Sequence, residues 1–186
     1  KLHLLFLSLL LMLTGSNAIA QLTFDTLAFP SNYSQQEISQ MRDLEVDANG
    51  GIWTSFYSIG VLHYDGATWQ AYNTTTTGNL LPTDSVSSLY IEPGGAIWML
   101  TRYGLTRKDS SGFSFYSAGS FYPLPISFFT DMTVARGQVF ISSISGVLVY
   151  DIGSATWQSF NQSNSLLPSN QVGSLYTDQT ENVWVS

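Results

Sequence analysis

Residues 47–65 read DANGGIWTSFYSIGVLHYD, and this stretch decides the fold because versions of it return along the chain at a nearly fixed interval. EPGGAIWMLTRYGLTRKD follows from Glu92, VARGQVFISSISGVLVYD from Val134, and DQTENVWVS from Asp178. Aligned on the large aromatic, Trp53, Trp98, Phe140 and Trp184 stand 45, 42 and 44 residues apart. A second landmark keeps step with the first, as Gly60, Gly104 and Gly146 each open a run ending in Asp. So does a third: TWQAYN from Thr68 returns as TWQSFN from Thr156, with GFSFYS from Gly112 between them, and LLPTDSVSSLY from Leu80 returns as LLPSNQVGSLY from Leu166. Self-similarity at a fixed period is the mark of a repeat architecture.

Inside one repeat the pattern is that of strands. Leu44 and Val46 alternate with Glu45 and Asp47, Asn49-Gly50-Gly51 makes a turn, and a second run begins at Ile52. Strands are expected near 43–47, 52–57, 61–65 and 68–73, jointed by Asn49-Gly50 and Asp65-Gly66, dipeptides that accept the positive φ of tight hairpins. Only Ser34 to Met41 has the composition for a turn or two of helix. Four short strands every 40 to 45 residues make the blade of an all-β propeller, in which each blade buries a face on the next. The chain then holds an incomplete ring of three full four-stranded blades, about 43–73, 87–117 and 130–161, and part of a fourth, 173–186. Residues 21–42 lead in. Trp53, Trp98, Phe140, Trp184, Trp69 and Trp157 are read as packing between blades, and Gly60, Gly104 and Gly146 as backbone requirements of the repeat.

Residues 1–20 read as an export signal: Lys1 and His3 precede the apolar run Leu4 to Leu13, and Ala18-Ile19-Ala20 supplies small residues for cleavage before Gln21. That run is too short for a helix to span a hydrocarbon core of roughly 30 Å. With no cysteine in the chain, stability comes from packing alone, and thiolate metal sites and disulfides are excluded. From Gln21 onward 13 acidic residues face Arg42, Arg102, Arg107, Lys108 and Arg136. Such a balance, without a basic stripe, argues against nucleic acid as a partner.

The segments from Asp47 to Asp65 and from Glu92 to Asp109 resemble the two-component regulator propeller repeat, whose pattern runs D-x-x-G-x-I-W-x-x-T and then G-L-x-x-Y-D. The resemblance covers Asp43 to Ser186. The third repeat departs from it, with Ala135-Arg136-Gly137 in place of the acidic turn and Phe140 in place of Trp. The resemblance implies a seven-bladed propeller outside the cytoplasm of Bacteroidetes-type bacteria. It would be either the periplasmic sensor of a hybrid two-component system, with a membrane helix and histidine kinase further along, or a secreted or surface protein ending in a sorting domain. The linker TWQAYNTTTTGNLLPTDSV resembles those of the secreted members.

Three blades and a fraction cannot close a ring. A bare terminal face of on the order of 500 Å² forgoes up to roughly 12 kcal/mol at about 25 cal/mol per Å², which rivals the stability of a whole domain. At least three further blades are therefore expected in the natural product.

Catalysis finds little support. His63 is the one histidine after residue 20, which leaves a His-based metal site and a Ser-His-Asp triad without their parts, and His63 is read as an ordinary strand residue. Asp47-Ala48-Asn49-Gly50 opens like a calcium loop but lacks the later ligands and closing Glu. No local spacing favours the paired carboxylates of a glycosidase. Neither cofactor nor metal is expected. Binding is better served: with the four strands of a repeat lettered A to D in chain order, the B-to-C and D-to-A connections open on one face and carry Tyr57, Arg102, Tyr103, Phe121, Tyr122 and the loop Thr74 to Ser85, where aromatic faces beside Arg donors suit sugar rings and anionic groups. The expected function is an extracytoplasmic sensor or ligand-binding module for a glycan or other small ligand, joined to a membrane only through segments outside this chain. The alternatives are a free-standing surface propeller for adhesion, and a propeller lyase or glycosidase.

Overall fold

The computed structural model describes residues 3–10, 21–119 and 129–186, and divides them between an N-terminal unit, residues 1–39, and a larger unit, residues 40–186. In the first unit, β1 (His3–Leu10) pairs antiparallel with β2 (Gln21–Ala28) from His3↔Ala28 to Leu10↔Gln21. The short helix α1 (Gln35–Ile38) follows. Its capping box explains its place: Ser34 Oγ accepts the Glu37 N–H at 3.3 Å, and Glu37 Oε2 accepts the Ser34 N–H at 2.8 Å. The proposed export segment, residues 1–20, lies partly outside the described residues, and its described part is β1.

In the second unit the repeat becomes three sheets of four antiparallel strands and one of two. The first sheet is β3 (Met41–Val46), β4 (Ile52–Phe56), β5 (Val61–Tyr64) and β6 (Trp69–Tyr72). The second is β7 (Ser88–Ile91), β8 (Ile97–Thr101), β9 (Gly104–Asp109) and β10 (Gly112–Ser117). The third is β11 (Phe129–Ala135), β12 (Gln138–Ser143), β13 (Gly146–Asp151) and β14 (Thr156–Phe160). The last holds β15 (Leu175–Thr177) and β16 (Val183–Val185). In each four-stranded sheet the strands lie in chain order, as successive hairpins dictate. The first strands of neighbouring sheets touch, β3 on β7, β7 on β11 and β11 on β15, so the sheets stack like vanes on their first strands. Among the described residues the vanes do not close into a ring.

Apolar residues facing the neighbouring sheet fill the gaps. Val61, Tyr72, Leu81, Leu89, Ile97 and Met99 pack between the first and second sheets, and Trp98, Leu105, Met132, Ile141, Leu148 and Tyr150 between the second and third. Gly60, Gly104 and Gly146 stand where the third strand starts, at φ of 93°, 139° and 113°. A Cβ at these positions would run into the carbonyl oxygens of Tyr72, Tyr116 and Phe160 on the fourth strand, so the repeat requires glycine there for space as well as for torsion. The aromatics are packed as expected in the first two sheets, where Trp53 is 7% and Trp98 0% exposed. Trp184 differs at 59% exposed, because its two-stranded sheet offers no third or fourth strand to cover it.

Candidate functional site

The register brings together three residues per sheet that are far apart in sequence terms. In the first sheet Trp53 pairs with His63, in the second Trp98 with Arg107, in the third Phe140 with Val149. In the first two sheets a residue six places before the aromatic completes the set. Asp47 Oδ2 accepts the Trp53 indole N–H at 3.0 Å, while Oδ1 accepts the backbone N–H groups of Asn49 and Gly51, both at 2.9 Å. The His63 ring stacks on Trp53 with centroids 3.9 Å apart, and its Nε2 stands 3.4 Å from Asp47 Oδ2. In the second sheet Glu92 Oε1 accepts the Trp98 indole at 2.5 Å and Arg107 Nε at 3.1 Å, with Arg107 Nη2 on Oε2 at 3.2 Å. Arg107 also pairs with Asp109, and its Cζ lies 5.6 Å from the Trp98 ring centroid. In the third sheet, whose hairpin is one residue shorter, Ala135, Phe140 and Val149 stand at the same three places, so the acid, the indole and the base are lost together.

The electrostatics follow. Burial works against ionising Asp47, but the Trp53 indole and the Gly51 and Asn49 amides outweigh it and hold the carboxyl below its ordinary value. Burial likewise opposes ionisation of Glu92 and is overcome by Arg107 and then Trp98. Burial lowers His63, with Asp47 pulling the other way. Asp178, whose Oδ2 accepts the Trp184 indole at 2.9 Å, is held well below the carboxylate range by that bond first. Asp47 and Asp178 are thus committed to a hairpin turn and an indole, and Glu92 to an indole and Arg107, which makes these sets structural staples.

A different carboxylate binds sheet to sheet. Asp43 Oδ2 accepts Ser88 Oγ at 2.9 Å and the Leu89 N–H at 2.8 Å, and Asp131 Oδ2 accepts the Leu175 N–H at 2.8 Å. Glu45, on the same first strand as Asp43, is pushed up to about 7 by burial and then by the charges of Asp43 and Asp131. The sheet-to-sheet bonds of Asp43 and Asp131 have no local sequence signal, and His63, expected as an ordinary strand residue, stacks on Trp53 beside Asp47. The six-residue spacing of acid and Trp, and its joint loss in the third repeat, was the available signal.

Of the expected ligand contacts, Tyr57 follows β4 and is 58% exposed, its N–H donating to Gln40 O at 3.2 Å. Arg102 is exposed, with Cζ 5.9 Å from the ring centroid of half-buried Tyr103. The Tyr103 backbone is held by Thr101 Oγ1, which accepts its N–H at 3.2 Å, and by Ala118, which donates to its carbonyl at 2.8 Å. Arg102 and Tyr103 therefore form a unit, and Tyr57 occupies the corresponding turn one sheet away. Ile144, 45% exposed, takes that position in the third sheet. Phe121 and Tyr122 lie outside the described residues. The loop Thr74 to Ser85 is tied down, since Asp84 Oδ1 accepts the Thr74 N–H at 2.7 Å and Leu81 is fully buried.

A run of four-stranded vanes stacked on their first strands defines a β-propeller, and solved structures agree. The chain superposes on the extracellular domain of the hybrid two-component system BT3049 of B. thetaiotaomicron with a TM-score of 0.66 and 19% identity, covering 87% of this chain and 23% of that one. The corresponding domain of BT4673 from the same organism gives 0.61 and 18%, over 82% and 19% of the two chains. Virginiamycin B lyase of Staphylococcus aureus gives 0.59 and 14%, over 79% and 48%. The chain thus spans less than a quarter of the two extracellular domains. No family model and no curated protein matches it in sequence.

Proposed function

We propose that the chain is the N-terminal part of an extracytoplasmic propeller sensor that recognises a glycan or other small ligand on the face carrying its B-to-C turns. The observation behind this reading is the Arg102–Tyr103 pair. An exposed guanidinium lies beside an aromatic whose backbone is fixed on both sides, on a fold shared with extracellular domains of two-component systems. A rigid aromatic beside a planar donor suits a sugar ring bearing hydroxyl or carboxylate groups. Tyr57 extends the same face by one sheet. Export through residues 1–20 and a downstream membrane segment and kinase belong to this reading; among the described residues no helix is long and apolar enough to cross a membrane.

An enzymatic role in these residues has less behind it, because the acids nearest an imidazole or guanidinium are already engaged, Asp47 by an indole and turn amides and Glu92 by an indole and Arg107. The test is a glycan array followed by calorimetry on any hit. Substituting Arg102→Ala and Tyr103→Ala together should weaken binding at least about tenfold, about 1.4 kcal/mol. Unchanged affinity in the double variant removes the assignment.

A further inference from the structure

Among the described residues Trp53 and Trp98 each lie against one cation, and they take it from different sheets. Over Trp98 it is Arg107 of the same sheet, with Cζ 5.6 Å from the ring centroid, and the third sheet faces that interface with the neutral ring of Tyr150. Over Trp53 it is Lys108 of the next sheet, with Nζ 5.8, 5.7 and 6.0 Å from the centroids of Trp53, Tyr72 and Phe113. Lys108 makes no ion pair among the described residues, so these rings are what holds its ammonium. Lys108 and Tyr150 occupy one place in the repeat, four residues after Gly104 and Gly146. Where the residue paired with the indole in its own sheet is a permanent cation, Arg107, the facing position is neutral; where it is His63, the facing position is charged.

His63 is the residue of this set whose charge can change. Its ring stacks on Trp53 with centroids 3.9 Å and planes 17° apart. Its Nε2 is buried against Gly51, where a Cβ would come within 2.8 Å of it, and has no hydrogen-bond partner. Asp47 Oδ2, at 3.4 Å, is near enough for its charge to act, but it is not aligned for a bond and already accepts the Trp53 indole. The charged and titratable groups around the imidazole are Asp47 on the β3–β4 turn, Asp65 after β5, Lys108 on β9, Glu45 on β3 across Trp53, and Tyr72 on β6. Burial, the largest influence, and Lys108 disfavour the imidazolium and outweigh Asp47 and Asp65, so His63 is neutral at pH 7 with Lys108 in place.

We propose that His63 and Lys108 form a proton-operated latch between the first two sheets. Neutral His63 leaves Trp53 to Lys108, which ties β9 to β4 and β6. Protonation makes an imidazolium on the same indole, drawn to Asp47, and the like charge drives the half-buried Lys108 ammonium, on its flexible stem, out of the rings and into water. The second sheet's hold on the first then weakens at the outer strands, while the inner bonds from Ser88 and Leu89 to Asp43 remain. As pH falls from the unfolded histidine value toward the lower folded one, the unfolded state takes up the proton first, so the latch loses stability in that window. The latch lies between complete sheets and is independent of the ligand reading.

The test is a proton NMR titration of the full chain from about pH 8 to about pH 4, reading the His63 ring and the Lys108 Hε protons together, with His3→Gln to separate the two imidazoles. At the alkaline end the Lys108 protons should be shielded by the three rings, and they should lose that shift at the midpoint where His63 titrates. Lys108→Met, which keeps the stem and removes the charge, should raise the His63 midpoint. His63→Gln should hold the Lys108 shift constant, and Glu45→Gln should leave the coupling as it is. Four results overturn the proposal: a Lys108 shift unchanged through the His63 titration, a midpoint unmoved by Lys108→Met, a Lys108 shift that still follows pH in His63→Gln, or loss of the coupling in Glu45→Gln, which assigns the trigger to Glu45. The parent titration decides by itself where a variant does not fold.

Discussion

The Trp98 indole donates to Glu92 Oε1 at 2.5 Å across a hairpin turn, and the same bond links Trp184 to Asp178 at 2.9 Å, yet Trp98 is fully buried and Trp184 is 59% exposed. Water replaces the partner at the exposed site and cannot at the buried one. Trp98→Phe should therefore cost at least about 2 kcal/mol, from lost volume and the loss of one of the two donors to Glu92 Oε1, whereas Trp184→Phe should stay within about 0.5 kcal/mol. Urea midpoints compare the two directly. Similar losses would mean that the indole bond does not carry the difference.

The third sheet allows the staple to be rebuilt. Phe140→Trp alone leaves an indole N–H facing Ala135, and Ala135→Asp alone leaves a carboxylate without its donor, so each should destabilise. Made together they restore the first sheet's pair, and the double variant should be more stable than the sum of the singles by about 0.5 to 3 kcal/mol. Additive losses in urea titrations would contradict this.

Glycines at the start of the third strand are required by contact as well as by torsion. Gly146→Ala drives a Cβ at the Phe160 carbonyl, whereas Gly112→Ala, at φ 128°, meets nothing within 4 Å. Gly112→Ala should cost about 1 kcal/mol of torsional strain and Gly146→Ala clearly more, read as the shift in urea midpoint. Equal costs would show that the fourth strand yields.

The repeat, the four strands per sheet and the one short helix were legible from periodicity because burial at period two and turn chemistry are local properties. Expected strand limits such as 43–47 and 52–57 meet observed ones of 41–46 and 52–56. The staples were only half legible. Asp47 and Trp53 lie six residues apart and their coincidence repeats, but His63 joins them through register, which depends on hairpin geometry. The Asp43 and Asp131 bonds span 46 and 44 residues and leave no local trace. For the proposed ligand face, residue type pointed to Arg102 and Tyr103, while their mutual contact needed the folded turn.

Glu45 gives the chain a pH dependence of opposite sign to that of Asp47 and Glu92. Its folded value, raised to about 7 by burial and by Asp43 and Asp131, exceeds its unfolded value, so the folded state binds the extra proton between them. Its contribution to stability is full below the unfolded value and is lost as pH rises toward 7. Asp47 and Glu92, held low, contribute in the other direction, losing stability only as pH falls through their folded values. Melting temperatures from pH 5 to 8 should fall less steeply with rising pH in Glu45→Gln than in the parent. Parallel curves would place the titration elsewhere.

Asp43 and Asp131 make the same bond at two interfaces, and the difference between them predicts where the structure opens first. Asp43 holds Leu89 on β7, a strand whose sheet has three further members, while Asp131 holds Leu175 on β15, whose sheet has one. A bond to a charged acceptor contributes about 1.5 to 3 kcal/mol, roughly ten- to a hundredfold in an opening equilibrium. Where other strands hold the amide, losing the bond is diluted into the opening of a whole sheet; where one short hairpin remains, it appears in full. Asp131→Ala should therefore raise hydrogen exchange at Leu175 by at least about tenfold, with Tyr176 and Thr177 following. Asp43→Ala should change exchange at Leu89 much less and appear instead in global stability. If both variants accelerate their amides equally, the sheets open as separate units whatever their strand number.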